Sequence, residues 1–344
     1  MDRLGPRAGM AAAAVVALAA LVLCVFGGEA AWRAWLGAAF LCISLPIGAL
    51  GMIMIMRLVP GAWAKQTSPL LEAEAALAPL GAAAFVPVLF ASSALYHGVG
   101  EHKTAFREAW LSQPFFIART LAWILILFAL ARLLVRRPAA PRAVSCVGLI
   151  LFLLFGTFAA TDWVQALDPD FNSSGFGLYV ISLQMLTAYA AAVCFGVSHA
   201  EQVAHPGWQG GLLLMLLLMW AYFAYMPYFI SWSGDVPSSA VWYLRRGQSV
   251  WAWLAWLVAA TRFGPAFLLL FTKVRNSRRW LARLAGLVVA GSVPEVAWLV
   301  LPAPPSGAPA ELSTGALFIA AVLGVGGLFA FLMRPAFAWI ESAA

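Results

Sequence analysis

The sequence predicts an all-α, polytopic transmembrane helical bundle, and two observations carry that prediction. Hydrophobic residues make up 63% of the 344 and charged residues only 10%, with a mean hydropathy of +0.89. No water-soluble domain of this length keeps such a balance. The apolar residues also fall in runs of about 20, the length a helix needs to cross the hydrocarbon core. Ten such runs lie near 9–27, 34–56, 74–95, 114–135, 143–164, 176–197, 209–230, 248–272, 281–301 and 315–339. The expectation is therefore about ten spans in one integral membrane domain covering residues 1–344. Helices are the expected form because a spanning segment must satisfy its own backbone groups.

Most spans carry a signature beyond hydropathy. The first follows Arg3 and Arg7 as a signal peptide would, yet leads straight into a second run, so it reads as a retained helix. Glu72 and Glu74 mark the start of the third, and Arg119 sits about a turn and a half into the fourth, in QPFFIARTLAWIL. The fifth ends in the acidic turn TDWVQALDPDFNSSGFG, with Asp162, Asp168 and Asp170. Aromatic residues crowd the end of the seventh, which runs into a loop, SWSGDVPSSAVWYLRR. The eighth carries Arg262 ahead of Gly264 and Pro265, a predicted kink, and the ninth carries Glu295 directly after Pro294. The sixth and tenth are read from hydropathy alone.

Charge sorting orients the chain. Fourteen of the 21 Lys and Arg residues fall on the side that holds both termini, so the positive-inside rule predicts cytoplasmic termini and outward-facing loops after spans five and seven. The net charge of +7 is then topological, and neither an aromatic platform nor a nucleic-acid motif accompanies it. Cys24, Cys42, Cys146 and Cys194 stand singly in apolar runs, without the paired spacing of a zinc or iron–sulfur site. His97, His102, His199 and His205 lie at span ends or in loops, away from where axial haem ligands would stand. The reading is a chain that binds no metal or haem of its own.

Charged residues inside spans are costly and invite explanation. Arg119 either snorkels to the headgroups or pairs with an acid, whereas Arg262 calls for a partner carboxylate or a water-filled cavity. Glu72, Glu74 and Glu295 read equally as proton relays or as structural ion-pair partners. Trp220, Tyr222, Tyr225, Tyr228, Phe229 and Trp232, with Trp242 and Tyr243 across the loop, form either an interfacial belt or a flat cleft suited to a quinone ring. Phosphate loops, Ser/His/Asp arrangements and HExxH are absent, so hydrolase and ATPase readings have no footing.

The two outer loops carry a resemblance. TDWVQALDPDFNSSGFGLYV resembles the acid-Trp, Leu-acid-Pro, Ser, Phe-Gly turn of the ActF-type membrane subunit of alternative complex III, a bacterial quinol:cytochrome c oxidoreductase. FISWSGDVPSSAVWYLRR is similar to that family's Ile-Trp-Ser-Gly-Asn-Leu-Pro segment, and QPFFIART, FGPAFLLL and EVAWLVLP follow the same order. The likeness covers about residues 113–302; Asp235 and Val236 stand where the family has Asn and Leu, and Ser238 and Ser239 where it tends to be acidic.

The resemblance implies a fold distantly similar to the NrfD/polysulfide reductase membrane subunit, with two four-helix bundles plus peripheral helices, in a bacterial inner membrane. It implies a cofactor-free subunit of a respiratory or photosynthetic quinol-oxidising complex, contributing to proton translocation and assembly. The implied partners are a periplasmic iron–sulfur subunit, a paralogous quinol-binding membrane subunit, c-type cytochrome subunits and a terminal oxidase, with haem c and iron–sulfur clusters held by those partners. Quinol or quinone is a candidate ligand on the outer side, with Asp162, His97 and Arg119 as the pocket. Glu72, Glu74, Asp162, Arg262 and Glu295 are proton-path candidates, and Asp168, Asp170, Asp235, Arg245 and Arg246 are partner-contact candidates. A secondary transporter with a midplane site, or a purely structural anchor, are the competing readings.

Overall fold

The computed structural model describes residues 4–61, 64, 67–96, 109–110, 112–136, 142–168, 171–199, 206–235, 237–302 and 311–343. Ten helices among them are long and apolar enough to cross a membrane, so the chain is an all-α polytopic bundle. In chain order the helices are α1 (Leu4–Phe26), α2 (Gly28–Leu58), α3 (Ser68–Ala76), α4 (Ala78–Phe90), α5 (Ser92–Leu95), α6 (Gln113–Arg136) and α7 (Arg142–Trp163). Then come α8 (Phe176–His199), α9 (Pro206–Ser233), α10 (Pro237–Arg246), α11 (Ser249–Leu270), α12 (Thr272–Arg275), α13 (Arg278–Val300) and α14 (Glu311–Ala343). Ten crossings return the chain to the side it started from. That side is here the terminal side, and the other the distal side.

Eight spans form two four-helix bundles. Bundle one contains α2, the α3–α4 span, α6 and α7; bundle two contains α8, α9, α11 and α13. The bundles meet where α2 packs along α8, and α2 is apolar all round because it is buried on nearly every side. At that seam a Cβ on Gly48 would collide with the backbone carbonyl of Gln184, so only glycine permits this approach. Outside the bundles, α14 lies against α1, α2 and α3.

In the eighth span, α11 runs from Ser249 to Leu270 with Pro265 inside it, the position at which the sequence predicts a kink. Span three is broken at Leu77 and again at Ala91; Pro79 and Pro87 each lack the N–H that would continue the ladder. The segment after span seven, expected as a loop, contains the helix α10. Pro237 opens it, and Arg245 and Arg246 complement the dipole in its last turn. In the aromatic cluster Trp220 and Trp242 turn inward, while Tyr222, Tyr225, Tyr228, Phe229 and Trp232 face outward as a belt does.

Candidate functional site

Each bundle places an arginine on its third helix and a carboxylic acid on its fourth, and the two join in an ion pair. In bundle two, Arg262 on α11 meets Glu295 on α13, and both side chains have no exposed surface. Arg262 Nε and Nη2 donate to the same oxygen, Oε2, at 2.9 and 2.6 Å. Its remaining donors go to the Val288 carbonyl at 2.8 Å and to Ser292 Oγ at 3.0 Å. The other carboxyl oxygen, Oε1, accepts from Tyr179 Oη at 2.7 Å and Trp220 Nε1 at 2.6 Å. Every helix of the bundle thus gives one side chain to this centre. A Cβ on Gly291 would strike Thr261, so glycine lets α11 and α13 come close enough for the pair to form.

A hydroxyl string leaves the centre towards the terminal side. Ser292 Oγ is 2.8 Å from Thr187 Oγ1, which in turn donates to the Leu183 carbonyl. Thr187 borders a cavity of about 590 Å³ between α2, α3, α8, α13 and α14. Glu74 borders the same cavity; it is 2% exposed, and among the described residues neither carboxyl oxygen has a hydrogen-bond partner. Glu72, on the same helix, accepts from Ser68 Oγ at 3.1 Å and lies apart from this cavity. On the distal side of the centre, Tyr179 and Trp220 border a second cavity of about 150 Å³, walled by Phe176, Trp242, Tyr243 and Trp298.

The pair of bundle one has a different shape. Arg119 Nε and Nη2 donate to separate oxygens of Asp162 at 2.7 and 2.9 Å, and Nη1 donates to the Trp110 carbonyl at 2.6 Å. The guanidinium lies 4.3 Å from the Trp110 ring centre and 4.6 Å from that of Phe115. Behind it, Trp163 Nε1 donates to Thr120 Oγ1, and Tyr96 Oη donates to the Trp163 carbonyl. The void beside the pair is about 20 Å³, room for a water and far too small for a quinone ring. Among the described residues Asp162 and Arg119 thus come together beside a void of water size, and His97, the third candidate for that pocket, lies outside the described residues.

At the distal edge the acidic turn is tied into the fold. Asp168 is buried and accepts from Arg245 Nη1 at 2.5 Å. Arg246, expected as a contact residue, is 1% exposed, because it donates to the Trp298 and Leu299 carbonyls, each at 3.1 Å, and stacks 3.7 Å over Trp242. Burial presses its guanidinium down to about 9, against the pull of Asp168, so it stays cationic at neutral pH. Asp168 and Arg246 thus present little to a partner. Asp235 remains exposed, in a left-handed turn with φ of 46°, a conformation that aspartate tolerates better than most residues. Asp170 lies outside the described residues.

One residue of this region escaped the sequence reading. Arg33, 2% exposed, donates to the Leu167 carbonyl at 3.1 Å and the Pro302 carbonyl at 3.2 Å, with Glu29 one turn back as its ion-pair partner. It clamps the segments that follow Asp162 in bundle one and Glu295 in bundle two. The only available signal was an arginine four residues after a glutamate at the head of an apolar run.

No protein-family model and no curated protein matches this chain. Among the described residues, no group of three or more His, Cys, Asp or Glu side chains could hold a metal ion, and the four cysteines are free.

Proposed function

We propose that the chain is an integral membrane subunit of a quinol:electron-acceptor oxidoreductase, and that its bundle two moves protons across the membrane. The observation that carries this reading is the Glu295 centre. A carboxyl with no exposed surface receives donors from three other helices, and its partner Arg262 also donates to Ser292, which stands 2.8 Å from Thr187 at a cavity edge. On this reading Glu295 is the group that takes up and releases the proton, Arg262 holds its charge in place, and the Ser292–Thr187 hydroxyls mark the polar side facing the cavity. Tyr179 serves the distal half and Glu74 the terminal half, which on the charge distribution is the cytoplasmic one.

The loop resemblance over residues 113–302 supports placing this device in a quinol-oxidising complex of a bacterial inner membrane, with a periplasmic iron–sulfur protein, a paralogous membrane subunit, cytochromes c and a terminal oxidase around it. On this reading the chain itself binds no redox cofactor. A carrier with a midplane site fits less well, because among the described residues span three is interrupted while its counterpart in bundle two, α9, runs unbroken from Pro206 to Ser233.

The test is a Glu295→Gln complex reconstituted in vesicles, with quinol oxidation and proton release measured together. Glutamine keeps an acceptor for Tyr179 and Trp220 but cannot cycle a proton. Protons moved per electron should fall while the folded complex still assembles with its c-type haem absorbance. An unchanged proton stoichiometry, or a chain that purifies alone without haem, sinks the reading.

A further inference from the structure

The cavity beside Glu74 has a chemistry that proton transfer does not explain. Its volume of about 590 Å³ is in the range of small-molecule sites, and aliphatic and aromatic side chains dominate its lining. Five small residues, Ala191, Gly286, Ala290, Gly326 and Ala330, hollow it out from three helices. The Thr187 hydroxyl at its edge is already committed to Leu183 and Ser292. Water needs two to four polar partners at each position, so most of this space suits hydrocarbon rather than a water column.

Two further features define the ligand. Both oxygens of Glu74 are buried without a donor among the described residues, so a hydroxyl seated beside them would meet an open hydrogen-bonding position. Among the described residues no cation lines the cavity, which disfavours phosphate or carboxylate heads beside this acid. α14 packs on α1, α2 and α3 far more than on α13, although α13 and α14 both line the cavity, which leaves the seam between these two helices as the route from the bilayer. We propose that this cavity binds a neutral, membrane-soluble alcohol, its chain between α13 and α14 and its hydroxyl on Glu74.

Binding of this kind is independent of the proton-transfer reading. Where that reading also holds, a seated chain stands between Glu74 and Thr187 and interrupts their line, so the ligand would act as a plug.

The experiment uses the full chain in lipid nanodiscs and a hexadecanol bearing a diazirine at its chain end. Photolabelling should fall on residues 286–293 and 322–333. Unlabelled hexadecanol should displace the probe, while palmitate and hexadecane should compete about tenfold less well, the worth of one lost hydrogen bond to a buried acceptor. Glu74→Leu should erase the advantage of the alcohol over the alkane, and Ala330→Phe, which fills the slot, should abolish labelling at an unchanged melting temperature. Gly326→Leu serves if Ala330→Phe does not fold. Farnesol as competitor assigns the chain class: stronger displacement than hexadecanol means an isoprenoid, weaker an acyl chain. The proposal is overturned if palmitate competes as well as hexadecanol, if Glu74→Leu keeps the alcohol preference, or if labelling survives the filled cavity. None of these readouts involves quinol oxidation, so this proposal and the proton reading fail separately.

Discussion

The Arg119–Asp162 and Arg262–Glu295 pairs occupy matching positions in the two bundles, third helix to fourth, and in each sequence a proline follows seven residues after the acid. Their surroundings differ. Asp162 spends both oxygens on the fork of one guanidinium, and that guanidinium is 12% exposed at the distal edge between two aromatic rings. Glu295 gives Arg262 a single oxygen and keeps the other for Tyr179 and Trp220, entirely out of solvent. A fork ties both oxygens to one cation and fixes a helix pair; a shared carboxyl divides its oxygens among three helices. The first arrangement suits a structural tie, and the second is the one on which the proposed proton transfer rests.

The largest effect should come from breaking the buried pair. Arg262→Met leaves Glu295 without its cation in a site with no solvent and should cost about 3–5 kcal/mol. The double variant Arg262→Met/Glu295→Met removes both charges and should recover most of that loss, because the desolvation of two ions disappears with them. Thermal melts of the detergent-solubilised chain measure both. A double variant as unstable as the single one would mean that the network positions the helices through its hydrogen bonds rather than through the pair.

Arg119→Gln should cost less, about 1.5–3 kcal/mol, since it removes charge-assisted hydrogen bonds from a buried acceptor at a site partly open to solvent. The loss should shrink as salt is raised, because an exposed edge is screened and a dry centre is not. Equal salt sensitivity at Arg119 and Arg262 would remove the distinction drawn between the two bundles.

Much of this was legible in the sequence and the rest was not, for physical reasons. Ten spans follow from hydropathy because the bilayer demands runs of fixed length. Arg262 calls for a carboxylate because an unpaired guanidinium is too costly in a span, and the structure supplies Glu295. Which acid answers which arginine is a matter of helix neighbours, and pairing across 33 or 43 residues leaves no periodic trace in one sequence. Trp220 reads as part of a belt because its residue type is right for one; only packing turns it onto Glu295. The break in span three was hidden because Pro79 and Pro87 interrupt the backbone ladder without lowering the hydropathy of the run.

The smallest effect tests the distal edge, where the Arg245–Asp168 link joins the segment after bundle one to the helix α10 of bundle two. Arg245 is 20% exposed, so the pair is screened on one side and sits between a surface bridge and a buried one. Asp168→Asn keeps an acceptor for Arg245 and removes only the charge, and should cost about 1 kcal/mol or less, falling further in high salt. Arg33 holds the same segment independently through the Leu167 carbonyl, so the turn should keep its place when the charge is gone. The comparison to make is with Arg33→Met, which leaves the Leu167 and Pro302 carbonyls without that donor and should cost more, about 1–3 kcal/mol. If Asp168→Asn proves the more damaging of the two, the bundles are held together at this edge by charge on the acidic turn rather than by the buried clamp beneath it.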